Sequence, residues 1–190
     1  TGSTGVQGAT GVQGSTGATG VGATGATGPS GPGGTIGIYG SFYDMYDQAV
    51  TTIDTPTPMK LRTLDSAYGV TIGGTDDSQI TVSANGTYNL QFSAQLHNTG
   101  GGGAGTTVII WLRKNGIDIP DTSTDVTVNT NSPYIVAAWN FVQQLNAGEY
   151  LELYWSSDNT HIQIETLGAT AYAPAVPSLI ATLTPVAQTL

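Results

Sequence analysis

The side chains with chemical reach are few. His97 and His161 are the only histidines, and there is no cysteine, so a thiolate nucleophile, a cysteine zinc site and a disulfide framework are all excluded. Asp158, His161 and Glu165 lie close in sequence, and His161 and Glu165 in or beside one strand can share a face. A zinc centre needs several clustered nitrogen or sulfur ligands at defined spacing, and no such cluster is present. Asp76-Asp77 carries the oxygen ligands that Ca²⁺ takes, but its polar surroundings read as a solvated turn. Gly100–Gly105 is glycine-rich, yet neither a following lysine nor a strand–loop–helix context makes it a phosphate cradle. Asn85-Gly86-Thr87 matches a glycosylation sequon and reads instead as a turn. Trp111, Trp139 and Trp155 fall on strand-like segments and read as core or subunit interface rather than as sugar-stacking platforms. No catalytic constellation emerges. We expect no enzyme, no metal and no cofactor.

Charge narrows the partners. Only Lys60, Arg62, Arg113 and Lys114 are basic, against thirteen acidic residues and a net charge of -9 over 190 residues. That balance argues against a nucleic-acid groove or an anionic membrane surface. No apolar run reaches the roughly 18 residues of a membrane span, so membrane insertion is not expected. The chain opens on Thr1 rather than Met, and we expect it to be a piece of a longer or processed product.

The residues that remain must be positioned by two very different elements. From Gly2 to Gly20 every third residue is glycine, and after the short step Gly20-Val21-Gly22 the period resumes through Gly34. Such a Gly-X-Y run marks a collagen triple helix, because only glycine fits where three chains crowd the axis. Residues 1–34 are therefore read as a collagen-like stalk and the protein as a homotrimer. Thr or Gln fills the Y positions (Thr10, Gln13, Thr16), proline appears only at Pro29 and Pro32, and no charge occurs before Asp44. Lacking interchain ion pairs and most of its proline, the stalk depends on residues 35–190 for register and nucleation. Fully wound, it would span on the order of 100 Å.

From Ile36 onward the sequence is β-rich, with turn signals at short intervals and no helical period. Strands are expected at Ile36–Tyr43, Met59–Leu64, Val70–Ile72 and Gln79–Val82. Asn85-Gly86 then reads as a hairpin dipeptide. The strand that follows alternates, with Tyr88, Leu90, Phe92, Ala94 and Leu96 on one face and Asn89, Gln91, Ser93 and Gln95 on the other. Thr107–Lys114, turned by Asn115-Gly116, and Ser178–Thr184 are apolar on both faces; Tyr134–Leu145, Glu149–Trp155 and Ile162–Leu167 complete the set. Some ten antiparallel strands imply an all-β, ten-stranded jelly-roll sandwich. Strands apolar on both faces need cover from outside the sheet, which points to a neighbouring subunit. Trp111, Trp139, Phe141, Tyr154 and Ile180 are the candidates for that interface or for the core.

Three segments carry a resemblance. Gly86-Thr-Tyr88-Asn-Leu90-Gln-Phe92, Leu112-Arg-Lys114-Asn115-Gly116 and Leu145-Asn-Ala-Gly148-Glu-Tyr-Leu-Glu-Leu153 are similar to motifs of the complement globular-head and tumour-necrosis-factor superfamily, with Glu149 in place of the usual Asp. Trp111-Leu-Arg-Lys-Asn-Gly-Ile-Asp-Ile-Pro-Asp-Thr122 and Ala137-Ala-Trp-Asn-Phe141 resemble the C-terminal domains of tailed-phage virion fibre proteins, those of cyanophages among them. Bacterial spore-surface collagen-like glycoproteins share the same layout. The phage resemblance implies a virion-surface fibre, tail or capsid, whose N-terminus joins another virion protein and whose tip meets a host-surface glycan or protein. The tip loops are expected to be Asn98–Gly105, Asn146–Gly148 and Gly168–Pro177, with Asn98, Thr99, Asn146, Thr170 and Tyr172 as candidate receptor contacts. A head that only trimerises and caps the stalk, without adhesion, is the alternative.

Overall fold

A computed structural model describes residues 1–3, 5, 8, 11–15, 37–100, 105–131 and 133–188. The chain divides into two units, Thr1–Gly33 and Gly34–Leu190. In the first, the described residues carry neither helix nor strand and are exposed. The expected break at Val21, the proline triplets at Pro29 and Pro32, and the expected strand start at Ile36 lie outside the described residues.

The second unit is all-β, with no helix among its described residues. Its strands are β1 (Tyr39–Asp44), β2 (Gln48–Ala49), β3 (Thr57–Pro58), β4 (Thr63–Tyr68), β5 (Val70–Gly73), β6 (Gln79–Val82) and β7 (Gly86–Asn98). They continue with β8 (Thr106–Lys114), β9 (Ile117–Asp118), β10 (Thr124–Val128), β11 (Tyr134–Leu145), β12 (Tyr150–Ser157), β13 (Ile162–Ile164) and β14 (Leu179–Gln188). All pairings are antiparallel, and they form two sheets.

Fourteen segments reduce to ten rows. β11 occupies one edge of β7 along its whole length, so β13 and β14 must share the other edge end to end. By the same logic β2 continues the row of β1, β3 that of β6, and β9 that of β10. The first sheet reads β4, β1, β14, β7, β11 and the second β5, β6, β12, β8, β10. The pairs β1–β14, β6–β12, β7–β11 and β8–β10 nest within one another and alternate between sheets, which is jelly-roll connectivity.

The core lies between the sheets. Tyr88, Leu90, Phe92, Ala94 and Leu96 of β7 are buried as the alternation predicts, and face Val108, Ile110 and Leu112 of β8 and Leu151, Leu153 and Trp155 of β12. Trp139 pairs directly with Phe92 across β7 and β11, edge to face with ring centroids 4.7 Å apart. Each such large side chain, once buried, contributes roughly 1.5–3 kcal/mol of transfer free energy.

Two local expectations differ from the structure. Met59–Leu64 is not a strand: Met59 N–H donates to Leu153 O at 2.8 Å and Leu61 N–H to Asp77 O at 2.8 Å. The chain crosses there from the second sheet (β3) to the first (β4), and Met59 and Leu61 plug the gap as buried residues. Asn85-Gly86 is not a hairpin either. β6 and β7 belong to different sheets, and neither residue has positive φ. Gly86 is there for close approach, since a Cβ would meet Ala187 O at 2.8 Å. Asn115-Gly116, at φ 51° and 80°, is the true hairpin turn, between β8 and β9.

Polar anchors fix the two ends. At one, the Glu149 carboxylate accepts from Asn146 N–H (2.7 Å) and Asn115 Nδ2 (3.0 Å) and pairs with Lys114 Nζ (2.8 Å). The three motifs of the superfamily resemblance converge here, because Ala147 N–H donates to Asn85 Oδ1 at 2.8 Å. Toward the other end, Asp44 is fully buried, bound by Arg62 Nη1 at 2.8 and 3.0 Å and by Gln48 Nε2 at 2.7 Å. Burial pushes the Asp44 carboxyl up and Arg62 opposes it.

Asp44→Ala should therefore cost about 3 kcal/mol, the low end for breaking a buried pair, because Arg62 keeps some access to water. Chemical denaturation reads this directly, and a loss below about 1 kcal/mol, the size of an exposed pair, would contradict the anchor. Glu149 behaves differently with pH. The Asn146 N–H, then Lys114 and Asn115, hold its carboxyl below the usual 4.5. Its contribution is present above that unfolded value and is lost as pH falls through the lower folded one. Glu149→Gln should thus be less stable than the parent at neutral pH, with the gap closing in acid; a gap constant with pH would contradict the charge argument.

Candidate receptor loops and sheet faces

Register assigns each loop to an end. Gly37 packs beside Pro185, and Gly86 pairs with Leu145 and Gln188, so chain entry, β7 start and β14 finish lie together. Tyr134 and Ile162 pair near Asn98 at the opposite end. The turn Asn146–Gly148 follows Leu145 and therefore sits at the Gly37 end, away from Asn98. This corrects the expected grouping of three tip loops: antiparallel pairing of β7 with β11 separates Asn146 from the others, and Asn146 serves the Glu149 anchor.

Asn98 is also not a surface contact. It is 3% exposed, donating to Thr106 Oγ1 at 3.2 Å and accepting from Gly100 N–H at 3.0 Å. Residues 101–104 of its loop lie outside the described residues. Thr99 is exposed, with its N–H and hydroxyl both donating to His161 O at 2.8 and 2.9 Å. Thr170 and Tyr172 belong to an excursion from the first sheet. Gln95 accepts from Glu165 N–H at 2.8 Å and donates to Ser178 O at 2.9 Å, so the chain leaves and re-enters the sheet at one level.

That excursion is braced at its base and its tip. Thr166 N–H donates to Asp47 Oδ1 (2.9 Å), Leu167 and Val176 bond each other, and Ser178 Oγ donates to Tyr46 O (2.8 Å). At the tip Thr170 N–H donates to Ala173 O at 2.9 Å while the Thr170 hydroxyl accepts from Ala173 N–H at 3.1 Å. Tyr172 stands on this closed turn, 90% exposed. Its place follows from the Asp44–Gln48 corner, which the sequence read only as the end of a strand and the start of a Thr/Pro loop.

The expected Asp158–His161–Glu165 grouping does not assemble. Glu165 Oε2 instead lies 2.8 Å from His97 Nδ1, Tyr134 stacks on the His97 ring at 4.1 Å, and Asp158 accepts from Thr107 N–H at 3.1 Å. Among the described residues no group of three or more His, Asp or Glu could hold a metal ion. Asp76 pairs with Lys60 Nζ at 2.8 Å.

The five interface candidates divide among three environments. Trp139 and Phe141 face inward against the core. Ile180 lies on the outer face of the first sheet and is 39% exposed. There it neighbours Ser93 of β7, which pairs in turn with Ala138 of β11. Around it, Val136 and Val142 are each 53% exposed, and Asn140, Asn89, Gln91, Thr182 and Thr184 complete an uncharged field. Trp111 and Tyr154 instead share the outer face of the second sheet, with ring centroids 5.9 Å apart. Arg113 lies 3.8 Å over the Tyr154 ring, and Trp111 Nε1 donates to Asp118 Oδ1 at 2.6 Å. The hairpin at Asn115-Gly116 is the sequence signal that could have paired Arg113 with Asp118.

No family model matches the chain, and no curated protein matches it. Among solved structures, the globular domain of the zebrafish complement 1qA protein is similar to it with a TM-score of 0.49 and 10% identity, over 80% of this chain and 99% of that one.

Proposed function

We propose that the chain is a structural and adhesive element: a homotrimer in which a collagen-like stalk carries a jelly-roll head, borne on a virion surface as a tail or capsid fibre and attaching to a host surface. The Gly-X-Y period and the uncharged outer face of the first sheet support the trimer. A field of Val136, Ala138, Val142 and Ile180 exposed in one subunit is apolar surface of the kind subunit association removes from water. The observation that carries adhesion is Tyr172, 90% exposed on a turn closed by Thr170. A rigidly presented aromatic with a polar tip provides contact area at low ordering cost, and three copies multiply a weak contact by avidity. The virion assignment rests on the fibre resemblance of Trp111–Thr122 and Ala137–Phe141. N-terminal attachment to another virion protein belongs to the same reading.

A second reading is favoured by the Glu149 anchor, where the family-like motifs serve only to brace the fold. In that reading the head trimerises and caps the stalk without adhering, on a virion or on a bacterial spore surface.

Sedimentation of the full chain should show a trimer, and Val136→Asp with Ile180→Asp should shift it to monomer; a monomeric parent would overturn the quaternary reading. Tyr172→Ala should leave the trimer intact and reduce adsorption to host cells by about tenfold or more through lost avidity. Adsorption that does not depend on Tyr172 would remove this loop from the function, and a parent trimer that adsorbs to no cell or glycan would leave the capping role alone.

A further inference from the structure

The outer face of the second sheet holds a cavity of about 400 Å³ that the loop contacts do not use. One wall is apolar, formed by Trp111, Ile119 and Pro120, and the other is polar, formed by Asp118, Ser123 and Ser156. We propose that this cavity binds a neutral hexopyranose unit, so that the adhesive reading above, on which this inference rests, has a sugar site on the flank of the head.

The wall is preformed. Thr122 Oγ1 donates to Ile119 O at 2.8 Å and accepts from Leu112 N–H at 3.2 Å, while Ile119 N–H donates to Leu112 O at 3.0 Å. The loop is thereby tied to β8, with Asp121 held at φ 61°. Asp118 is equally fixed. Its Oδ1 accepts from both Trp111 Nε1 and Arg113 Nε, and these bonds, Arg113 first, hold its carboxyl below the usual range. The second carboxylate oxygen has no partner among the described residues and is left to accept from a ligand hydroxyl.

The chemistry selects the ligand class. A pyranose has an apolar C–H face, which suits an indole and a proline, and a rim of hydroxyls, which suits a carboxylate and two serines. Asp118 and Asp121 repel an anionic sugar, and the net charge of -9 reinforces this. A cation is the poorer fit, because Arg113 already neutralises Asp118. Trp111 itself is 9% exposed, its ring held by Tyr154 and Asp118 on the sides away from the cavity.

The test uses the full chain with ¹⁵N-labelled tryptophan and the methyl glycosides of glucose, galactose and mannose. At least one should shift the Trp111 indole N–H saturably, with Kd on the order of millimolar for a single ring. Asp118→Asn and Ser123→Ala, both at exposed positions, should each weaken that binding, the former by about tenfold, as loss of a bond to a charged acceptor predicts. Tyr172→Ala should leave it unchanged. No saturable shift with any of the three sugars overturns the proposal, as does an affinity unchanged in both cavity variants, or a response to tetramethylammonium and to no sugar. Cell adsorption measured in parallel separates the two readings. Adsorption without sugar shifts overturns the cavity alone, whereas sugar shifts without adsorption support the cavity and overturn the adhesive reading.

Discussion

The period of two along β7 is the constraint on which the head depends. This strand is the only route by which β11, β13 and β14 are joined into one sheet. Its even-numbered side chains from Tyr88 to Leu96 seal the space between the sheets. A one-residue slip would turn that row out and Asn89, Gln91, Ser93 and Gln95 in, so the burial pattern and the register enforce each other. Tyr88 adds a local lock, its hydroxyl donating to Ala84 O at 2.8 Å. Everything attached to β7 inherits this register, including which loops share an end of the sandwich.

How much of this was legible depended on the distance over which the deciding contact acts. The alternation of β7 is local, and it was read correctly from five apolar positions. The two Asn-Gly pairs have identical letters and different fates. Asn115-Gly116 joins strands of one sheet and adopts the double positive φ of a hairpin, whereas Asn85-Gly86 joins strands of different sheets. Nothing within six residues of either pair distinguishes them; the difference lies in β12, which takes β6 as its partner. Met59–Leu64 failed for the same reason. Its apolar residues are buried, as a strand's would be, but successive backbone groups bond to different sheets.

The candidate contacts follow the same rule. Asn98 and Asn146 were chosen as polar residues in turns, and both proved to be structural, because a short amide in a tight turn is better used on the backbone than on a ligand. Tyr172 remained exposed because its neighbours Gly168, Ala169, Ala171 and Ala173 offer nothing bulky to cover it, a feature visible in the sequence. The partnership of Trp111 with Asp118 was half visible, since a hairpin centred on Asn115-Gly116 must bring Arg113 opposite Asp118. That of His97 with Glu165 was not, because it requires knowing that β13 lies along the end of β7.

The two outer faces of the sandwich divide the labour in a way the composition already constrains. With only four basic residues, the chain can place few compensated charges. Arg113 and Lys114 stand at the β8–β9 hairpin of the second sheet, each beside an acidic partner, Asp118 and Glu149. Arg62 is committed to buried Asp44, and Lys60 to Asp76. None remains for the middle of the first sheet, whose outer face is consequently built of Val, Ala, Ile, Thr, Asn and Gln. An uncharged, flat, partly apolar field is costly to leave in water but suited to a second copy of itself, since no like charges oppose one another there. The charged and aromatic face, by contrast, gains nothing from self-association, because its carboxylates would meet their own kind. Charge scarcity thus assigns association to the first sheet and leaves the second free for a ligand.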